Sequence, residues 1–450
     1  MSKRMILAAA ALLGAALCLN AQNFQEGFFL RGFNRAYQYN PAIVDENDFI
    51  GGVQWNFNLQ NNAGLASFLF PTEDGLVTGF HSSIPAETFP GNLPDLVQFA
   101  GTFNAGLFSY GFRTSNAFHT IDVNVRGNYG FALPANLFGF IKQGAVTTKT
   151  DLGGASADAN LYFELAYGYG RKLNDWLSVG ARIKALVPLV GACVDISRMD
   201  LTTTQDQMSL QMRGDIYLTN KEGTIHTNDL GYWDLSTLTI KDQLSGPTGV
   251  GAAIDLGLLA TPAEGLSVSL SLLDFGGMYW YYGNRATLGG TSSFEGLSVA
   301  YENLNENDLK DLMLESGTDF LNLLRPIGFY GHNWRLHKLR MQANLGVKYE
   351  MPFYRRMALG ATGRYVGGKG MPYWEGRGAV EVNPVDWLDL TANLGGGTAG
   401  MVFGMAATVK FHRFELVAAW EDGFGGTLLH SRMPLQRNFR TLQFGITYNL

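Results

Sequence analysis

Met341-Gln342-Ala343-Asn344-Leu345-Gly346-Val347-Lys348-Tyr349-Glu350 decides the fold of this chain. Its odd positions are Met, Ala, Leu, Val and Tyr; its even positions are Gln, Asn, Gly, Lys and Glu. An extended strand turns successive side chains to opposite faces, so this stretch has one greasy face and one wet face. The same period of two runs through 121–131, where Ile121, Val123 and Val125 oppose Asp122, Asn124 and Arg126. It recurs in 160–169, 176–187, 248–259, 265–272, 355–365, 413–420 and 442–450. Many of these runs reach the roughly 9–11 residues that a tilted strand needs to cross a bilayer.

The connections point the same way. Short turns fall at Lys172–Asp175, Thr261–Gly265, Pro352–Arg355, Asn383–Asp386 and His412. The other links are longer: 189–246, 284–339, 367–375 and 422–438. If the last strand runs down to the periplasm, every short turn lies on that side and every long loop outside, as in outer-membrane barrels. Aromatic residues gather where strands meet the short turns, at Tyr169, Trp176, Phe353, Tyr354, Trp387, Phe411 and Phe414, which suits a membrane interface.

The expected fold is therefore all-β: a closed antiparallel transmembrane β-barrel. About 16 stretches qualify as strands, and the first two, 50–58 and 64–70, are short. Leaving them out gives 14 strands, with 16 as the alternative. A change of phase between Leu107 and Phe108 predicts a β-bulge. Asn305–Leu324 is the one helical pattern, placed in a long outer loop.

Composition agrees. Glycine accounts for 56 of 450 residues and aromatics for 13%, while charged residues are only 16% against a usual 25% or so. So much apolar material excludes a disordered chain. A formal charge of −6 offers no basic stripe, which argues against nucleic acid as a partner. Lys3 and Arg4 precede the apolar run Met5–Leu19, the layout of a secretory signal peptide, taken as residues 1–21. Residues 22–48 then form an N-terminal hatch or plug segment, and 49–450 the barrel, with 189–246 and 284–339 as long extracellular loops. Cys193 stands alone once Cys18 leaves with the signal, so no disulfide staples the mature chain.

The wet face lines the lumen. It carries Asp122, Arg126, Glu164, Arg182, Lys184, Asp255, Lys348, Glu350, Arg364 and Glu381, with Arg356 and Arg377. Charge on the lipid face would cost roughly 2–4 kcal/mol per Arg or Lys at mid-depth, and that face carries almost none. Many other inward positions are Gly, Ser, Ala or Asn, which leaves room for a plug or a narrow channel. No nucleophile elbow, paired-histidine metal motif or phosphate loop is present, so the expectation is no enzyme, no cofactor and no metal.

Two resemblances add to this. Phe444, Ile446, Tyr448 and Leu450 alternate to the chain end and resemble the C-terminal signal that the barrel-assembly machinery reads during insertion. Arg35, then Asn40-Pro41-Ala42, ahead of the first strand resemble the hatch motif of the long-chain fatty acid transporter family. The whole layout is similar to an uncharacterised outer-membrane barrel family of Bacteroidota, a domain of unknown function. The resemblance implies a monomeric barrel in the outer membrane of a Gram-negative bacterium, surrounded by outer-membrane lipid. It also implies a channel for uptake of small solutes, hydrophobic small molecules among them. The alternative is a non-transporting barrel in protein secretion or surface attachment, motivated by the long loops.

Overall fold

A computed structural model describes residues 25–450 except 45–46, 74, 144–147, 205–207, 220–224, 228–232, 234–245, 295–326, 369–370, 399 and 424–437. The segments 1–21 and 305–324, expected as signal peptide and helix, lie outside the described residues.

Fourteen antiparallel strands form the wall. They are β1 (Phe49–Asn61), β2 (Leu96–Thr114), β3 (Ala117–Pro134), β4 (Ser156–Lys172), β5 (Leu177–Thr203), β6 (Gly249–Ala263) and β7 (Leu266–Phe294). The second half is β8 (Gln342–Glu350), β9 (Met357–Val366), β10 (Tyr373–Val385), β11 (Leu388–Gly397), β12 (Gly400–Phe411), β13 (Phe414–Gly423) and β14 (Asn438–Asn449). Each pairs with the next in chain order. β14 returns to β1, so the sheet closes and has no free edge in the ring. Among the described residues no helix is long and apolar enough to cross a membrane; strands do the crossing.

The polarity is inverted relative to a water-soluble domain. Leu345 and Phe444 are about half exposed, at 51% and 52%, whereas Asp122 and Asp255 are fully buried. Only a hydrocarbon surround makes that arrangement favourable. The aromatic residues beside the short turns are exposed as a rim of rings. The bulge expected near Leu107 is present, as a register shift between Gly106 and Phe108 against β3.

Three expectations need correcting. The count of 14 holds, but 50–58 belongs to it: the stretch lies in β1, which closes the ring. Gly51 and Gly52 interrupt its alternation and hide it. The segment 64–70 is not a barrel strand; a 3-10 turn, Leu65–Phe68, leads into a small separate hairpin of Leu69–Thr72 with Gly75–Thr78. Nor are 189–246 and 284–339 simply loops. β5 and β7 run for 27 and 29 residues, and Met208–Leu218 and Ile327–Lys338 pair with their outer ends. Above the membrane both faces of a strand meet water or protein, so its alternation no longer needs to be strict.

Candidate functional site: the barrel lumen

The lumen is occupied by the chain's own N-terminal residues 25–44, which reach all fourteen strands. Polar contacts serve twelve of them. On one side Arg35 meets Gly52 and Ser109, Tyr37 meets Asp122, and Asn40 meets Leu258 and Ser269. On the other, Phe29 meets Lys348, Gln25 meets Thr362 and Glu375, Arg31 meets Asp389 and Lys410, and Asn34 meets Glu415 and Thr447. β4 and β5 touch it through bare backbone at Gly170 and Gly180. A Cβ at Gly180 would stand 2.0 Å from the Pro41 carbonyl oxygen, and one at Gly257 1.9 Å from Asn40 Oδ1. The small inward residues are thus the seat of this segment.

Asn40-Pro41-Ala42 makes a local turn. Asn40 Oδ1 accepts the Ala42 N–H at 2.9 Å, an Asx turn. Its Nδ2 donates to Ser269 Oγ at 2.7 Å and to the Leu258 carbonyl at 2.8 Å. Ala42 is fully buried. Leu30, Phe33 and Ala36 pack on Ala406, Val417 and Ala419 across the lumen.

Above the Asn40 turn lies an ionic belt. Arg182 bridges Asp122 (2.6 Å) and Asp255 (3.0 Å). Lys184 bridges Asp255 (2.7 Å) and Asp274 (2.6 Å). Arg126 bridges Glu164 (2.6 Å) and Asp274 (2.8 Å). Tyr37 donates to Asp122 Oδ1 at 2.6 Å, and its ring lies 5.4 Å from the Arg182 guanidinium, which ties the segment to the belt. Burial, helped by the Asp122 charge, pushes the Tyr37 phenol well above its ordinary value and keeps it a donor.

A second cluster joins Arg364 and Arg377 to Glu375, and Arg377 to Glu421, with Gln25 donating to Glu375 at 2.6 Å. A third sets Arg31 between Glu350 and Glu381, with Lys348 on Glu381. Asp122, Arg126, Glu164, Arg182, Lys184, Asp255, Lys348, Arg364 and Glu381 therefore all take part in lumen networks, and Glu350 sits half-exposed at the rim. Arg356 does not face the lumen: it lies in the short turn before β9 and pairs with Asp386.

Asp274, shared by Lys184 and Arg126, escapes a reading by period. Its φ is 57° and it sits at a register shift against β6, off the phase of its own strand. The acidic partners Glu375, Glu421 and Asp389 alternate as wet-face residues, but nothing local marks their partners in the N-terminal segment.

Directly above the ionic belt the wall changes character. Leu186 is the next inward position after Lys184, Tyr162 the next above Glu164, and Ala253 the next above Asp255. With Met278, Trp280, Tyr282 and Leu339 they form one buried apolar cluster on the inner side of the wall. It is an apolar patch on the β4–β7 side of the lumen; the row through Tyr162 continues as Arg126, Asn104, Asn56 and Gln443 on β3, β2, β1 and β14.

A closed ring, greasy outside and ionic within, defines a transmembrane β-barrel whose lumen its own N-terminal segment occupies. The chain belongs to the Family of unknown function (DUF5723), whose sequence profile matches residues 41–420. No curated relative matches it. Similar solved structures include the Pseudomonas putida toluene transporter TodX, at 8% identity over 96% of this chain and 98% of that one, TM-score 0.47. Others are the Ralstonia pickettii toluene transporter TbuX (10%, 96% and 99%, 0.43) and a Pseudomonas aeruginosa FadL homologue (12%, 91% and 92%, 0.42). The reading of function rests on the lumen itself.

Proposed function

We propose that the protein is an outer-membrane channel for uptake of small, partly hydrophobic solutes, held shut at rest by residues 25–44. The observation that carries this reading is the apolar patch on β4–β7 standing directly on the ionic belt, on the side away from the Asn40 turn. Tyr162, Leu186, Met278 and Trp280 are at most 1% exposed, so they must part to admit a solute, which then gains roughly 25 cal/mol per Å² of its apolar surface buried among them. The belt below is closed to it while Tyr37 holds Asp122 and Asn40 holds Ser269. The Asn40 bond is worth about 0.5–1.5 kcal/mol net and the Tyr37 bond to a carboxylate about 1.5–3, so the seat is tight but separable. Arg126, Arg182 and Lys184 keep their carboxylates paired whether or not the segment is seated, so the wall need not move with it.

The test is uptake of radiolabelled decanol by cells producing the protein, beside cells producing Trp280→Asp. Faster uptake with the native protein, lost in the variant at equal outer-membrane abundance, supports the reading. Equal uptake with and without the protein rejects it.

A further inference from the structure

We propose that Asn34 and Arg35 clamp the seam where the first and last strands meet, so that the N-terminal segment closes the barrel wall as well as its lumen.

The β1–β14 pairing is the only one in the ring between strands far apart in the chain, and it is irregular. Gly51 pairs with Thr447 and Gln54 with Gly445, so Gly52 and Val53 stand against Ile446 alone. A bulge breaks the ladder and frees backbone groups. At membrane depth, water is not there to satisfy them. Arg35 supplies the missing donor: its Nη2 reaches the Gly52 carbonyl at 2.6 Å, while Nε donates to Ser109 Oγ on β2 at 3.1 Å. Glycine makes room for it on both sides. A Cβ at Gly51 would lie 2.3 Å from Nη2, and one at Gly445 3.0 Å from Nη1.

Asn34 holds the other lip. Its Nδ2 donates to Thr447 Oγ1 (2.8 Å) and Asn449 Oδ1 (2.7 Å) on β14, and its backbone N–H to Glu415 on β13 (3.1 Å). Two consecutive residues thus span β13, β14, β1 and β2. Arg35 is 1% exposed, and among the described residues no carboxylate lies within ion-pair distance of it. The Asp122 and Glu415 carboxylates act on it from beyond that distance, so its direct contacts with the seam are the hydrogen bonds to Gly52 and Ser109. Asn40–Ala42 faces the opposite wall, β4 to β7, whereas Tyr37 and Gln38 still touch β1 at Phe49 and Gln54. The Asn40 turn can leave the lumen while the clamp stays.

The experiment is hydrogen exchange of the full-length protein in detergent micelles, native beside Arg35→Ala, Arg35→Lys and Asn40→Ala. Arg35→Ala should exchange about tenfold or more faster in peptides covering 49–61 and 438–449, with 342–366 unchanged, because the Gly52 carbonyl in the bulge loses its donor. Arg35→Lys should fall between, since one ammonium cannot copy the guanidinium fork. Asn40→Ala should leave the seam as in the native protein. A disulfide between Asn56→Cys and Gln443→Cys, opposite each other across the seam, should restore the heat resistance of Arg35→Ala. One between Val347→Cys and Ala361→Cys should not. Seam exchange unchanged in Arg35→Ala, equal acceleration in every strand, or equal rescue by both disulfides overturns the proposal. If Arg35→Ala does not assemble at all, recovery by the seam disulfide alone supports it and no recovery overturns it.

Discussion

Asp255 shows what a buried charge means in this lumen. It receives Arg182, Lys184 and the Asp274 backbone N–H, and the side chains it pairs with are 4% exposed. Asp255→Ala takes one of two carboxylates from each cation, Arg182 keeping Asp122 and Lys184 keeping Asp274, and leaves the Asp274 N–H unpaired, so a loss of about 1–3 kcal/mol is expected, read from urea unfolding in detergent. Tyr37 adds a pH dependence. Its phenol titrates above the unfolded value of about 10, so its contribution is complete below that pH and declines as pH rises beyond it. Tyr37→Phe should flatten the decline in unfolding midpoint above about pH 10; an unchanged slope would place its cause elsewhere. Asp122, Arg182 and Asp255 were legible from alternation alone. Asp274 was not, because a residue at φ 57° in a bulge has left the period that would reveal it.

Among elements, the N-terminal segment is the least legible and the most consequential. Its side chains pair with residues up to 415 positions away, so no local periodicity betrays it. The wall carries the sign instead: glycine at inward positions of β4, β5 and β6, which composition suggests is spare room and the structure shows to be contact. Gly180→Leu should unseat the Pro41 turn, because the new side chain meets backbone rather than a flexible tip. Planar-bilayer recordings should then show conductance that the native protein lacks, with the barrel still resisting sodium dodecyl sulfate at room temperature. A silent Gly180→Leu would mean that the rest of the segment seals the lumen unaided. β1 escaped partly for a related reason, since its paired glycines sacrifice alternation to admit Arg35.

At the scale of the molecule, the greasy outer face was readable from stretches such as 341–350 because lipid penalises every exception. Leu345→Arg should cost about 2–4 kcal/mol of folding free energy, measured by urea titration in detergent or bilayer. The outer ends of β5 and β7 were less readable, since nothing outside the hydrocarbon enforces their pattern. They set the orientation to be tested. In intact cells, a cysteine placed at Ser197 should react with an impermeant maleimide and one at Glu264, in a short turn, should not. The reverse result would turn the barrel over.

The ring has another property. Every strand lies beside its sequence neighbours, and the Leu450 amide already donates to the Asp48 carbonyl at 2.9 Å. The wall therefore has no intrinsic beginning. A circular permutant that opens the chain at Gly265 and links 450 to 48 would keep all fourteen pairings while severing residues 25–44 from their covalent tether. Gatekeeper and cylinder could then be made as two molecules and recombined.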